Sequence, residues 1–324
     1  MIISRSPLRI TLGGGGTDLP SYYRQFDGFL ISAAIDQYVY TTINHTTSNE
    51  ILIRYSQIER VKTIENIKHP IIRTALQLTG ITEPNIEITS MADHPSGTGL
   101  GSSSSFTTSL LKSLFKFKKQ FISQEKLAEM ACHIEIDLLK EPIGKQDQYI
   151  AACGGLTIFD FNKDDTVKIR SLNVSDDIIN QLESNLMMVS TGFYRAASKV
   201  LKEQDDKSKS SDNDMINNLH YVKELGYKSL ESLESGNLHR FGLLMREHWE
   251  HKKKRSGAMS NKDIDMWYDL AMKNGAIGGK LIGAGGGGFL LFYTEDKIKL
   301  KNALNNVGLK EIPIKFDYEG TKLL

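Results

Sequence analysis

The stretch PSGTGLGSSSSF (95–106) sets three glycines and four serines directly ahead of an apolar run, TTSLLKSLFKF, that reads as a helix. A disordered polar linker does not lead straight into a helical turn. The backbone N–H groups that open a helix have no internal partners, and together with the helix dipole they attract anions such as phosphate. Gly97, Gly99 and Gly101 let phosphate oxygens reach those N–H groups without a Cβ in the way, and the serine hydroxyls add donors or a metal ligand. The serines are therefore expected to begin the helix and the glycines to clear its mouth. A serine N-cap behind a flexible loop would need fewer of these residues.

Two further glycine-rich stretches flank this one. In LRITLGGGGTDLPSYY, four glycines after a strand permit close ligand approach, with Thr17, Asp18 and Ser21 just beyond; a tight turn capped by Asp18 accounts for the same residues. In KLIGAGGGGFLLFY, Gly283, Gly285 and Gly288 match G-x-G-x-x-G, but the strand-like FLLFY stands where a dinucleotide fold needs a helix. Neither Gly144-Lys145 nor Gly279-Lys280 continues into Ser or Thr, which excludes the usual P-loop.

Around these stretches the pattern is α+β. IISRSPLRITL, GFLISAAI, YVYTTINH, EILIRYS and PNIEITSMA (84–92) read as strands, and IIRTALQLTG as a helix ending at Gly80. Helices are expected over 102–117 and from Ser123 through SQEKLAEMACHIEIDLLK, and GGLTIFDFN with TVKIRSLNV as a hairpin closing a first lobe, 1–183. A second lobe, 184–324, opens with the strand NLMMVSTG. It continues through a charged surface loop at 205–214, helices over 213–234, 237–254, 262–273 and 296–306, and the strands GAIGGKLIG, FLLFYT and EIPIKFDY.

The chain's 324 residues carry 40 basic and 39 acidic side chains, a balance that selects neither a nucleic-acid nor a membrane partner. Cys132 and Cys153, its two cysteines, have neither the number nor the spacing of a disulfide framework or zinc site and read as reduced core residues. No stretch approaches the ~20 apolar residues of a membrane span, and the N-terminal apolar run is short for a signal peptide, so a cytoplasmic protein is expected.

Two acids stand out. Glu135 falls between Ala131 and Leu139 on the apolar arc of its helix, where a carboxylate needs a cation or donors; a buried salt bridge and a functional role explain it equally. Asp147, in PIGKQDQYIAACGG, follows a helix break at Pro142 and Gly144, a place for an exposed active-site carboxylate and equally for an ordinary helix N-terminal acid.

Taken in order, SPLRITLGGGGTD, PSGTGLGSSSS and IGAGGGG, with IGKQDQY between the last two, resemble the motifs of the GHMP kinases, the superfamily of galactokinase, homoserine kinase, mevalonate kinase and phosphomevalonate kinase. The resemblance spans nearly the whole chain. It implies a two-lobed α+β fold, with a ribosomal-S5-like N-terminal lobe and a ferredoxin-like C-terminal lobe, holding ATP and Mg²⁺ between them. Galactokinase-like members carry Glu-His where Gly15 and Gly16 stand here, which argues against galactose. PLRITLGGGGTDLPSYYRQFDGFLISAAIDQYVY looks most like the D-glycero-D-manno-heptose 7-phosphate kinases, which phosphorylate the anomeric oxygen to the 1,7-bisphosphate on the way to GDP-heptose and bacterial surface polysaccharide. A kinase of an unphosphorylated sugar such as fucose or galactose, or a non-catalytic nucleotide- and sugar-binding regulator, are the rival expectations.

Carried over by residue, the resemblance implies Asp147 as the base for the attacking sugar hydroxyl and Arg9 as the cation beside it. It implies Ser103 and Glu135 as Mg²⁺ ligands and Asp18 and Thr17 as sugar-binding residues. The segment Gly97, Gly99, Leu100, Gly101, Ser102, Ser103, Ser104 and Ser105 would cradle the triphosphate, with the third glycine stretch close to it as the site's floor. A 7-phosphate on the acceptor would need a second anion site. Arg195, in STGFYRAASKV, is the leading candidate, with Arg255 and Lys280 also available, while Lys252 to Lys254 read as solvated surface cations.

Overall fold

The structure, a computed structural model, describes residues 1–193, 197–210 and 212–324. Two long strands anchor the first lobe. β1 (Ile2–Gly13) and β2 (Gly28–His45) run antiparallel along their lengths, joined through the first glycine stretch and the short α1 (Pro20–Phe26). The sequence predicts two strands within 28–45, and the structure has one. The apparent break at Asp36-Gln37 is a bulge, where the register shifts between Pro7 and Leu8. The Asp36 N–H freed there donates to the Lys315 carbonyl at 2.9 Å, so the C-terminal tail satisfies the bulge.

β3 (Ile51–Arg54) and β4 (Ile58–Val61) form a hairpin, α2 (Pro70–Thr79) ends on Gly80 in the left-handed conformation (φ 66°), and β5 (Ile86–Ala92) lies between β2 and β3. α3 (Ser102–Phe117) packs on β1 and β2. Its serines and threonines have a structural reason: Ser4 bonds Ser109 and Ser113, and Ser6 bonds Thr108, at 2.7–3.0 Å, so small satisfied hydroxyls let helix and strand approach closely. α4 (Gln124–Cys132) is followed by a π-helical segment, His133–Leu138, where the sequence predicts continuous α-helix. α5 (Gln146–Cys153) leads into the expected hairpin of β6 (Leu156–Phe161) and β7 (Val167–Ser171), with β6 alongside the first half of β2.

The second lobe follows α6 (Asp176–Asn185), a helix the sequence reading missed although Ser175 caps it. Among the described residues it comprises β8 (Leu186–Ser190), α7 (Ala197–Lys209), α8 (Asn213–Glu234), α9 (Leu238–Lys253), α10 (Lys262–Lys273), β9 (Ala276–Leu281), β10 (Phe289–Thr294), α11 (Lys297–Asn305) and β11 (Glu311–Ile312). Its antiparallel sheet has the order β11-β8-β10-β9. Two expectations are corrected. The predicted loop over 205–214 is largely helix: Glu203–Lys207 and Asp205–Lys209 pair at i,i+4 along α7, and Asp212 caps α8, so charge that reads as disorder is helical pairing. EIPIKFDY yields only the two-residue β11 and a bridge from Phe316 to Ile35. Finally β12 (Lys322–Leu323) returns to pair with β1.

Candidate active site

Arg9 projects from β1 and is only 5% exposed. Its guanidinium forks onto Asp147, Nε to Oδ1 at 2.7 Å and Nη2 to Oδ2 at 2.8 Å, while Nη1 donates to the Gly99 carbonyl. The Arg9 N–H also donates to the Leu100 carbonyl at 3.0 Å, so β1 and the glycine-serine loop are tied through main chain and side chain alike. Asp147 is the second residue of α5, and its side chain remains a quarter exposed. Gln146 donates to Asp147 Oδ1 at 3.1 Å, and Thr11 donates to Gln146 Oε1 at 2.6 Å, which fixes the amide's orientation.

The loop meets this pair at Gly101, whose φ of 78° is left-handed; a Cβ there would stand 3.2 Å from the Asp147 carboxyl carbon. No side chain caps α3, so its opening amides are left for another acceptor. Ser102 and Ser103 face outward at the mouth. Ser104 and Ser105 are buried, with the Ser105 hydroxyl donating to the Pro7 carbonyl at 2.7 Å, and Leu100 is fully buried. Those three can offer a ligand main chain only. Gly97 lies in the exposed part of the loop. The third glycine stretch packs directly on it, Gly283 against Gly99 and Gly288 against Thr98, as expected of a site floor.

Ser103 Oγ donates to Glu135 Oε1 at 2.6 Å, and Gln148 Nε2 donates to Oε2 at 2.9 Å. Burial raises Glu135 to about 7 against the lowering effect of these bonds. The π-helical segment carries Glu135 to this position: Leu139 N–H reaches back to the Ile134 carbonyl and Glu141 N–H to that of Glu135. A hydroxyl, a carboxylate and the buried Gln148 Oε1, which has no partner among the described residues, are hard oxygens suited to Mg²⁺ and its water. No group of three His, Cys, Asp or Glu side chains among the described residues could hold a metal, so a divalent ion here would need phosphate oxygens as further ligands.

Asp18 and Thr17 part company. Thr17 is fully buried, its hydroxyl bonded to the Gly14 and Phe29 carbonyls at 2.9 and 2.8 Å, and it pins the first glycine turn. Asp18 lines the pocket, accepting from the Gln146 N–H at 3.1 Å; burial, then the charge of Asp147, raises its pKa. Gly144 must be glycine because a Cβ would strike the Asp18 carboxyl. Arg195 lies outside the described residues.

Besides Asp18 and Asp147, the same pocket of about 100 Å³ is lined by His248, Lys252, Arg255 and Lys280. Lys252 is not a solvated surface cation: it is 8% exposed, and its ammonium donates to the carbonyls of Leu281 and Gly283. The sequence alone reads Lys252 to Lys254 as solvated cations and sets only Arg255 of this run apart. The helical period separates the run, because Phe241, Met245, His248, Lys252 and Arg255 follow i, i+3, i+4 spacing and are all buried, while Lys253 and Lys254 point elsewhere.

Residues 63–155 match the family of GHMP kinases N terminal domains and residues 229–310 that of GHMP kinases C terminal domains. The chain is similar to a D-glycero-alpha-D-manno-heptose 7-phosphate kinase of Campylobacter jejuni, 28% identical over 99% of this chain and 98% of the other. It is also 27% identical, over 91% of its length, to 30% of a bifunctional fucokinase/GDP-fucose pyrophosphorylase of Arabidopsis thaliana. Among solved structures, a D-glycero-D-manno-heptose 1-phosphate kinase from Bacteroides thetaiotaomicron superposes with a TM-score of 0.83 at 26% identity, covering 100% of this chain and 99% of that one.

Proposed function

The chain belongs to the GHMP kinases, and from that premise we propose that it transfers the γ-phosphate of ATP to the anomeric hydroxyl of D-glycero-D-manno-heptose 7-phosphate, giving the 1,7-bisphosphate. The observation that carries the reading is the Arg9–Asp147 fork set against Gly99 and Gly101 at the uncapped start of α3. It puts a carboxylate, a guanidinium and a row of open amides within one site, and phosphoryl transfer asks for little more than positioning and charge compensation.

In this reading the α3 amides and the 97–101 loop hold the triphosphate. The anomeric oxygen attacks the γ-phosphorus, its proton passes to Asp147, the bond from that phosphorus to the β–γ bridging oxygen breaks, and ADP leaves. Asp147 keeps acceptor capacity on Oδ2, which takes one bond from Arg9 among the described residues, whereas Oδ1 already accepts from both Arg9 and Gln146. Arg9 offsets the negative charge that spreads over the transferring group. Ser103 and Glu135 would hold Mg²⁺, which neutralises phosphate charge when bound. Asp18 would accept from sugar hydroxyls deeper in the pocket.

Similarity to a fucokinase keeps a free sugar as the second reading for the acceptor. The test is ADP release against a panel of free and phosphorylated hexoses and heptoses, with phosphorus NMR locating the new ester. Heptose 7-phosphate is expected to have the highest kcat/KM and to gain its phosphate at the anomeric carbon. Asp147→Asn should lower kcat by about 10²–10⁴ with acceptor binding retained. Full turnover in Asp147→Asn, or an ester elsewhere on the sugar, refutes the mechanism.

A further inference from the structure

Three cations in the pocket have no carboxylate partner within 4 Å among the described residues. Arg255 is 4% exposed; its Nε donates to the Asn218 side chain at 2.9 Å and both terminal nitrogens to the Gly15 carbonyl at 3.1 and 3.2 Å, leaving two of its five N–H groups over. Lys280 is 3% exposed and among the described residues has only the Leu12 carbonyl at 3.2 Å and His248 Nδ1 at 3.4 Å. Lys252 gives two of its three N–H donors to carbonyls of the third glycine stretch. Of the two acids lining the pocket, Asp147 is committed to Arg9, and Asp18 forms no ion pair within 4 Å among the described residues. Among the described residues, the pocket is thus lined by four cationic side chains, Arg9, Lys252, Arg255 and Lys280, and two carboxylates.

Burying unpaired cations is costly, and proteins that keep them use them to hold an anion. Fully ionised, that set of side chains carries two positive charges in excess, which a phosphate dianion would neutralise. The nucleotide does not account for it, because the proposed triphosphate cradle, residues 97–105, is not among the residues that line this pocket. Arg255 and Lys280 come from different elements, the turn after α9 and β9, and line one cavity that also contains the proposed base. An acceptor with one end at Asp147 therefore places its far end among these cations.

We propose that Arg255 and Lys280 bind the phosphate group already present on the acceptor, with Lys252 holding the third glycine stretch behind them, so that this enzyme selects phosphorylated sugars over free ones. The proposal rests on the sugar-kinase reading above and deepens it. It takes Arg255 and Lys280, candidates already in the sequence, for the acceptor's anion site, while Arg195 lies outside the described residues.

The experiment compares Lys280→Met and Arg255→Lys with the wild type on heptose 7-phosphate, on free heptose and on ATP. Methionine fills the lysine's volume without a buried charge, and lysine keeps charge but loses the fork, so both variants should fold. The expected result is a fall of about 10- to 100-fold in kcat/KM for heptose 7-phosphate. The loss on free heptose should be much smaller, so the preference collapses, and KM for ATP should stay within about twofold. Equal losses on both acceptors, or a raised KM for ATP, overturn the proposal. A second arm does not depend on the heptose being the substrate. With the nucleotide site saturated by a non-hydrolysable ATP analogue and magnesium, inorganic phosphate should raise the melting temperature of the wild type and not of Lys280→Met. Equal phosphate stabilisation of both proteins refutes the site even if the kinase reading holds. Loss of the phosphate effect, with no heptose turned over by the wild type, keeps the site and refutes the heptose reading.

Discussion

Lys280 enters the pocket from β9 facing Arg255, Arg9, Lys252 and His248, and burial followed by the Arg255 and Arg9 charges pulls it down to about 7 from an ordinary 10.5. Between those two values the folded protein binds fewer protons at this group than the unfolded chain, so unfolding takes up protons and stability rises with pH. The unliganded wild type should therefore gain on the order of 1–3 kcal/mol from pH 6.5 to 9, and Lys280→Met distinctly less. At pH 6.5 the variant should melt higher than the wild type, by about 2–5 °C. Chemical denaturation across that range checks both; a pH slope unchanged in the variant contradicts the assignment of the buried charge. Residues at this scale were unequally legible. Arg9 and Asp147 stand in recognisable motifs, whereas His248 and Lys252 look like part of a basic surface run until their helical phase is read against Phe241 and Met245. Thr17 lies in a motif too, yet its hydroxyl is consumed by the turn it belongs to, which sequence cannot distinguish from ligand contact.

Gly283 shows how one element constrains another. Its φ is 73°, and an added Cβ would run into Gly99, so the third glycine stretch fixes the height of the phosphate-binding loop. Gly283→Ala should destabilise the protein by about 2–4 kcal/mol, from left-handed strain plus displaced backbone. It should raise KM for ATP at least about tenfold, since the loop must shift to accommodate the methyl group. Gly257→Ala is the control, because a Cβ there meets nothing within 4 Å and should leave both quantities nearly unchanged. Similar KM values for the two variants would show that the contact does not govern the loop. Most elements were readable from period and caps: the α2 stop at Gly80 and the α3 start at Ser102 fall where expected. The misses share a cause. At Asp36-Gln37, at 133–138 and along α7 the local pattern is overridden by partners distant in sequence or by charge pairing within a helix, neither of which periodicity measures.

At the scale of the molecule, the two sheets are sewn together by side chains rather than by a linker. β8 alternates: Leu186 and Met188 join the hydrophobic core that contains β1, β2 and α3, while Met187 and Val189 pack with Trp249, Ile264 and Leu300 on the other side. β10 does the same, Phe289, Leu291 and Tyr293 against Leu290 and Phe292. The C-terminal tail then returns, with β12 on β1 and the Phe316 N–H donating to Glu183 at 2.6 Å. A sheet buried on both faces cannot leave the first lobe without exposing half its apolar side chains, so neither lobe should unfold alone. Calorimetry is expected to give one endotherm, with calorimetric and van't Hoff enthalpies in agreement. Met188→Ala and Met187→Ala, on opposite faces of one strand, should each move that single transition down, by about 2–5 kcal/mol in stability, without dividing it. Because the pocket is lined from both lobes, acceptor and nucleotide should shift the same endotherm upward as a unit. A second transition that appears in Met188→Ala, with only one of the two responding to ligand, would mean that the shared core does not couple the lobes and that the site closes by independent motion of each.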